Sequence, residues 1–185
     1  MPPARPPKNL RLFVAAYPPP ETAVALLASL AQLDLPPNRL VAPGQVHVTL
    51  HFIGETPASK VDAIAETVRH AAGGLDSFAL TPRRLITFPQ RPPVRLVVAE
   101  TDRPAALMEL HRRLVTRLAR HPRHRPGDRY RSHLTLCRLV SPAKLAAIEV
   151  PLGVPPFMVQ EIALVHSTLL PQGAHHETVR VIDLS

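Results

Sequence analysis

Two short stretches of this sequence repeat a pattern in which a histidine is followed two residues later by a threonine. His47 and Thr49 lie in HVTLHFIG, and His133 and Thr135 lie in HLTLCRL, 86 residues further along. Both stretches are rich in β-branched and apolar residues, which predicts strands. Because side chains alternate between the faces of a strand, each His-Thr pair shares one face. Two such strands can bring both pairs into one cleft.

Two imidazoles that face one phosphorus atom can divide an acid–base reaction between them. Histidine exchanges protons near neutral pH, so one ring can take a proton from water while the other gives one to the leaving oxygen. Such help is worth about 10²–10⁴-fold per group. The hydroxyls of Thr49 and Thr135 could stabilise charge on the remaining phosphate oxygens. The pattern favours phosphodiester chemistry that needs no metal.

Neighbouring residues leave alternatives open. Alternation places His51 on the face of His47, so a metal site of His47, His51 and Glu55 is one alternative, although the second stretch has Cys137 at the matching position. Cys137 is either a nucleophile or, as is usual for a buried cysteine, a small core residue. Strict alternation places Arg138 opposite the face of His133, so it reaches the cleft only if the strand bulges, twists or ends there.

Aromatic and basic residues suggest contacts with a nucleotide. Phe52 and Tyr130 are candidates for stacking on a base, although alternation places Phe52 in the core, where Phe13 is also expected. The span 111–131 holds eight arginines, which either contact an RNA backbone or form a solvated surface.

The elements that position the two pairs also repeat in the sequence pattern. The strand over 46–53 is closed by Gly54 and followed by Thr56-Pro57, and the strand over 132–139 is followed by Ser141-Pro142. Threonine or serine before proline is typical of a helix start, which predicts helices over 57–72 and 142–148. Further strands are predicted over 10–17, 78–80, 85–88, 94–99, 157–167 and 178–182, and helices over 21–33 and 104–120. This mixed order predicts an α+β fold with mainly antiparallel sheets.

Length and composition bound the class of protein. A chain of 185 residues fits one domain over 1–185 with two lobes, and we expect a monomer. The net charge of +8, with 19 arginines and three lysines, favours anionic partners. The single cysteine excludes an internal disulfide, and we find no leader peptide and no apolar run of membrane-spanning length. These features predict a cytoplasmic protein that does not enter the membrane.

The whole set of motifs resembles the 2H phosphoesterase superfamily, and within it the bacterial RNA 2′,3′-cyclic phosphodiesterases, also called 2′-5′ RNA ligases. The similar segments are RLFVA, HVTLHFIGE, ITFP, HLTLCR and EIALVHSTLLPQG, which span nearly the whole chain. The resemblance implies a bilobal α+β fold in which two pseudo-symmetric antiparallel sheets with outer helices surround a central cleft.

The resemblance also implies an activity and a set of site residues. The reaction is hydrolysis of RNA 2′,3′-cyclic phosphate ends to 2′-phosphomonoesters without a cofactor or metal, with 2′-5′ ligation as a minor reverse reaction. His47 would be the proton donor and His133 the proton acceptor, while Thr49, Thr135 and Arg138 would bind the phosphate. A small cyclic phosphate as the substrate, or RNA binding without catalysis, remain the alternatives.

The sequence departs from the family near its end. Members often have an aromatic residue after the C-terminal glycine, where this chain has His175 and His176. This change concerns the part of the site that would hold the base, so the resemblance does not fix the natural substrate.

Overall fold

The structure, a computed structural model, describes residues 9–118, 130–170 and 173–184. Within these residues three α-helices accompany eleven strands, and all the strand pairings are antiparallel. The helices are α1 Pro20–Ala28, α2 Val61–Ala72 and α3 Ala105–Leu118. The strands are β1 Asn9–Ala16, β2 Asn38–Leu40, β3 Val48–Pro57, β4 Phe78–Leu80, β5 Pro82–Phe88, β6 Val94–Thr101, β7 His133–Ala143, β8 Glu149–Pro151, β9 Phe157–Val159, β10 Glu161–Leu170 and β11 Gly173–Asp183. The predicted α+β class is confirmed.

The two strands that carry the His-Thr pairs lie side by side in the middle of the main sheet. The strand order is β11-β10-β1-β3-β7-β6-β5-β8, with β2 also paired to β7, and β4 and β9 form a separate two-stranded sheet. β3 and β7 are joined at one registered pair, Val48 with Leu134. The two expected sheets are therefore the two halves of one sheet, related by an approximate twofold axis between β3 and β7.

The helices pack against one face of this sheet. On β1, Leu12 and Val14 belong to the main core together with Leu110 and Leu114 of α3. Each of these side chains is fully buried, and burial of such a side chain contributes about 1.5–3 kcal/mol. The alternate β1 side chain, Phe13, belongs to a second, smaller cluster on the other face. That other face carries the cleft.

Helix α2 shows that the predicted repeat of a strand followed by a helix is only partly correct. Its buried residues recur at helical spacing, and Gly73 ends it as predicted. Its start differs, because Thr56 and Pro57 are still in β3, paired with β1, and a one-turn 3₁₀ helix, Ala58–Lys60, comes before α2. Gly54 therefore does not close the strand.

The helix predicted after Ser141-Pro142 is wrong. β7 continues through Ser141 and Pro142 to Ala143, which pairs with Val94 of β6, and residues 144–148 are not helical. Proline is tolerated near the end of a strand, where its missing N–H leaves no ladder partner unsatisfied. The repeat therefore extends over the strands but not over the elements that follow them.

Other bounds differ in smaller ways. The segment 157–167 is divided between β9 and β10, β11 is longer than the predicted 178–182, and β2 and β8 were not predicted at all. Residues 1–8 and 171–172 lie outside the described residues. None of the helices in the described part of the chain has the length and apolar character needed to cross a bilayer.

Candidate functional site

A β-bulge at Leu50 decides which side chains of β3 reach the cleft. Consecutive residues of β1 pair with His51 and Thr49, so Leu50 is the extra residue. Leu50 is buried in the main core, and His51 lies on the same side, close enough to His111 of α3 for charge repulsion. Phe52 then returns to the face of Thr49, and 50% of it is exposed. The predictions that His51 shares the face of His47 and that Phe52 faces the core are wrong.

A bulge at the matching position of β7 changes the face of the strand on which Arg138 lies. Consecutive residues of β6 pair with Cys137 and Thr135, so Leu136 is the extra residue. Leu136 and Cys137 are both fully buried, whereas Arg138 is exposed. The bulge that Arg138 requires to share a face with Thr135 is therefore present. Burial raises the pKa of the Cys137 thiol, which disfavours the thiolate that a nucleophile needs.

The cleft is a cavity of about 840 Å³ on the sheet face opposite the helices. Four of the five predicted site residues line it, namely His47, Thr49, Thr135 and Arg138. His133 is not among the lining residues. Its ring lies at the start of β7, near enough to His47 for the two imidazoles to repel each other when charged. The structure thus brings four of the five residues into one cavity and places His133 near His47.

The two histidines are held by the same hydrogen bond. Nδ1 of His47 lies 2.7 Å from the carbonyl oxygen of Gln45, and Nδ1 of His133 lies 2.7 Å from that of Arg131. A carbonyl oxygen only accepts hydrogen bonds, so Nδ1 of each ring must carry the proton and donate it. Nε2 is therefore left on both rings to accept or donate a proton, which is the arrangement that general acid–base chemistry requires.

Aromatic rings surround His47. Its ring centroid is 5.1 Å from that of Phe13, 5.5 Å from that of Tyr17 and 5.1 Å from that of His176. His133 is stacked on Phe88 at 5.6 Å in the other half of the sheet. Each imidazole thus rests on a phenylalanine, and this contact fixes the ring plane.

Burial controls the protonation of His47. Loss of solvent around the ring is the largest effect, and it lowers the pKa of His47. The hydrogen bond to Gln45 raises the pKa, whereas the charges of His176, His133 and Arg138 lower it further. Together these effects lower the pKa to about 4. His47 is consequently a neutral imidazole near neutral pH in the ligand-free protein.

Tyr130 packs against helix α3 and does not line the cleft. Its ring is stacked on His111 with the centroids 4.0 Å apart, and its hydroxyl donates a hydrogen bond to the carbonyl oxygen of Thr49 at 3.1 Å. Burial raises the pKa of Tyr130 to about 12. It is therefore unavailable to stack on a base, contrary to the suggestion from the sequence.

Sequence reasoning missed several residues of the cleft. Arg11 and Phe13 share one face of β1, and the guanidinium of Arg11 lies 4.8 Å from the centre of the Phe52 ring. Alternation along β1 could have identified both, but we expected Phe13 in the core. Arg39 and His176 also line the cleft; Arg39 lies on β2, a strand that no pattern in the sequence indicates.

The arginines of the span 111–131 that the structure describes lie elsewhere. Arg112 and Arg113 pair with Glu109, and Arg131 pairs with Glu100. Neither these residues nor Arg117 line the cleft. The four arginines between 119 and 129 lie outside the described residues.

The alternative metal site is not assembled. His51 lies on the helix side of β3 and His47 on the cleft side, so the two imidazoles cannot share a ligand sphere. Within residues 9–118, 130–170 and 173–184, no three histidine, cysteine or acidic side chains are grouped as metal ligands would be.

The fold and the paired His-Thr strands together define the two-histidine class of phosphoesterases. A family model described as the 2′-5′ RNA ligase superfamily matches residues 18–169, and the chain belongs to that superfamily. The resemblance noted from the sequence is thereby confirmed.

Relatives and solved structures agree with this placement. An RNA 2′,3′-cyclic phosphodiesterase of Methanothermobacter thermautotrophicus is 27% identical over 152 residues, which cover 79% of this chain and 82% of the relative. The fold is similar to that of E. coli LigT complexed with phosphate, with a TM-score of 0.78, 23% identity and coverage of 97% and 99% of the two chains. The protein TT0787 of Thermus thermophilus gives a TM-score of 0.75, 24% identity and coverage of 95% and 98%.

Proposed function

We propose that this protein hydrolyses RNA 2′,3′-cyclic phosphate ends to 2′-phosphomonoesters, using His47 and His133 as the acid and the base. The observation that carries the proposal is the matched pair of Nδ1 hydrogen bonds, which leaves Nε2 of both rings free for proton transfer. The name of the curated relative, RNA 2′,3′-cyclic phosphodiesterase, supports the reaction. Crystal structures of E. coli LigT, which has a similar fold, complexed with phosphate, 3′-AMP and ATP support a nucleotide as the ligand.

In the proposed reaction His133 accepts a proton from water through Nε2 as the oxygen of that water attacks phosphorus. The bond between phosphorus and O3′ breaks, and His47 donates a proton to O3′ to give the free 3′-hydroxyl and the 2′-phosphomonoester. Thr49, Thr135 and Arg138 stabilise the negative charge on the non-bridging oxygens. Both proton transfers are made by imidazoles, so the mechanism uses no metal ion.

The donor role of His47 depends on the substrate. Its pKa of about 4 keeps the ring neutral in the ligand-free protein. A phosphate anion placed beside the ring favours the protonated form, because an opposite charge within a few ångströms raises the pKa of a histidine. Binding of the substrate would therefore load His47 with the proton that O3′ later receives.

A 5′-hydroxyl could replace the attacking water. The same proton transfers would then join it to the cyclic phosphate as a 2′-5′ linkage, which we expect to be minor because water is far more abundant. A monomer in a single-domain arrangement satisfies this mechanism, since both histidines come from one chain.

The test is hydrolysis of adenosine 2′,3′-cyclic phosphate and of RNA with a cyclic phosphate end, with the products distinguished by phosphorus NMR. We expect the 2′-phosphate alone, activity that survives EDTA, and losses of about 10²–10⁴-fold in His47→Ala and His133→Ala. His51→Gln is the matched control and should keep its activity, because His51 lies on the helix side. Full activity in either alanine variant, or binding without turnover by the unmodified protein, would overturn the proposal.

A further inference from the structure

Two arginines lie directly opposite each other at the edge of the cleft. Arg39 of β2 is the registered antiparallel partner of Arg138 of β7, and both residues are exposed and line the cavity. Side chains at opposed positions of an antiparallel pair project from the same face, and like charges there destabilise the pairing. Repulsion between these two charges therefore destabilises the strand pairing, and an anion bound between them would relieve that repulsion.

No carboxylate of the described residues compensates this charge. The arginines that line the cavity are Arg11, Arg39 and Arg138, and no aspartate or glutamate is among the lining residues. Among the described residues, neither Arg39 nor Arg138 takes part in an ion pair, whereas Arg69, Arg84 and other surface arginines do. Cations without protein partners inside a cavity indicate an anionic ligand.

The two arginines differ in their distance from the chemistry. The charge of Arg138 lowers the pKa of both His47 and His176, while Arg39 is not among the charges that act on either ring. Arg39 is followed by Leu40, an exposed residue at the cavity wall. Arg138 thus acts on the histidines, and Arg39 does not, although both line the same cavity.

We propose that Arg39, next to Arg138 at the reacting phosphate, forms a second anion subsite that binds the phosphodiester on the 5′ side of the terminal nucleotide. This inference rests on the proposed function and adds to it the residue that would distinguish a polynucleotide end from a mononucleotide. The cavity of about 840 Å³ lies near the upper end of the range of about 300–1,000 Å³ for ligand sites, which leaves room beyond the cyclic phosphate. A guanidinium suits the task because it binds phosphate in a bidentate manner.

The experiment compares substrates with one phosphate and with several. The unmodified protein, Arg39→Gln and Arg39→Lys are assayed with adenosine 2′,3′-cyclic phosphate and with a triadenylate that ends in a 2′,3′-cyclic phosphate. We expect Arg39→Gln to lower kcat/KM for the triadenylate about tenfold, as befits one charge-assisted contact, and to leave kcat/KM for the mononucleotide within about twofold. Arg39→Lys should recover part of the loss.

A matched control removes one charge from the opposite side of the molecule. Arg69→Gln on α2 deletes an exposed arginine that is paired with Glu66 and should change neither substrate by more than about twofold, because surface ion pairs contribute little. The slope of log affinity against log salt for the triadenylate should fall by about 0.7 in Arg39→Gln and stay unchanged for the mononucleotide.

The outcomes separate this inference from the proposed function. Equal losses on both substrates would place Arg39 at the scissile phosphate, and no loss on either would remove it from the site; both results overturn the subsite. If the unmodified protein hydrolyses neither substrate, the proposed function fails. The subsite is then tested by binding of a fluorescent triadenylate with a 2′-phosphate end, compared with 2′-AMP. If Arg39→Gln weakens binding of the triadenylate but not of 2′-AMP, the subsite is supported. If binding of the triadenylate is unchanged, the subsite is overturned.

Discussion

Phe52 and Arg138 occupy equivalent positions in the two halves of the sheet, each five residues after the histidine of its own His-Thr pair. A bulge three residues after each histidine brings both onto the cleft face. The scaffold is therefore symmetric while its side chains are not, since one half presents an aromatic ring and the other a guanidinium. We expect this asymmetry to orient a bound nucleotide, with its base toward Phe52 and its phosphate toward Arg138.

Substitution of the threonine hydroxyls should lower catalysis without changing the fold. Thr49→Val and Thr135→Val keep the size and β-branched shape of the side chains but remove a donor that would stabilise the phosphate oxygens. Loss of one such donor typically costs about 10²–10³ in kcat. Steady-state kinetics with adenosine 2′,3′-cyclic phosphate would measure this, and Thr→Ser at each position is the control that should retain most of the activity. Equal kcat in the valine and serine variants would contradict the assigned role.

A change of leaving group should separate the acid from the base. The aryl oxygen of bis(p-nitrophenyl) phosphate leaves without a proton, so loss of the general acid matters little for this ester. We expect His47→Ala to lose no more than about tenfold on the aryl ester but about 10²–10⁴-fold on the cyclic phosphate. His133→Ala should lose a similar factor on both substrates.

The comparison is made by release of p-nitrophenolate against release of 2′-phosphate in the same preparations. The reverse pattern, with His133→Ala spared on the aryl ester, would assign proton donation to His133. His47 has a pKa of about 4 in the ligand-free protein, so its ring is neutral near neutral pH before the substrate binds. The comparison of leaving groups therefore tests directly whether His47 is the acid.

The stability of the protein should depend on pH through His47. Its pKa is about 4 in the folded chain and about 6.5 in an unfolded one. The unfolded chain therefore binds a proton that the folded chain refuses between these values, and stability is lost as the pH falls from about 6.5 to about 4. The part due to His47 is about 3 kcal/mol, which follows from the pKa difference at about 1.4 kcal/mol per unit.

Urea unfolding at several pH values between 7 and 4 would measure this loss. His47→Gln should show a shallower decrease over the same range. Burial also lowers the pKa values of His51 and His176, and both residues are present in both proteins. The difference between the two proteins therefore reports His47 together with its repulsion of His176. Parallel curves for the two proteins would contradict this prediction.

Phe52 should bind the base of the substrate. The ring is half exposed at the cleft, with Arg11 over it, and stacking of a base on such a ring is worth about 1–3 kcal/mol. Phe52→Leu should therefore raise KM for adenosine 2′,3′-cyclic phosphate by at least about fivefold, while Phe52→Tyr should not.

The control for this effect is a substrate without a base. With the 2,3-cyclic phosphate of 1-O-methylribose, Phe52→Leu and the unmodified protein should have the same KM. If Phe52→Leu raised KM for the sugar phosphate as much as for the nucleotide, Phe52 would act on the shape of the cleft and not through the base.

The sequence predicted the strands that carry the site and the residues of the two His-Thr pairs, because period-two alternation depends only on local sequence. It could not predict the bulges at Leu50 and Leu136, since a bulge is a relation between two strands and shows only in their register. For that reason alternation placed Phe52 on the wrong face, and only the family resemblance assigned Arg138 to the cleft.

Two further misses have different causes. Strand β2 has three residues, Asn38–Leu40, too few for a periodic signal, and it exists because β7 offers it a partner; Arg39 was missed with it. The helix expected after Ser141-Pro142 rested on a local start signal, which the ladder between β6 and β7 overrides.

The single registered pair of Val48 and Leu134 is the seam between the halves of the sheet. Since few backbone bonds hold that seam, the spacing of the two imidazoles is set by the side chains packed beneath it, and both seam residues are fully buried. We therefore expect the distance between the two imidazoles to depend on how these core side chains pack. Evolution or engineering could adjust it by trimming a methyl group at the seam while every group that touches the ligand stays unaltered.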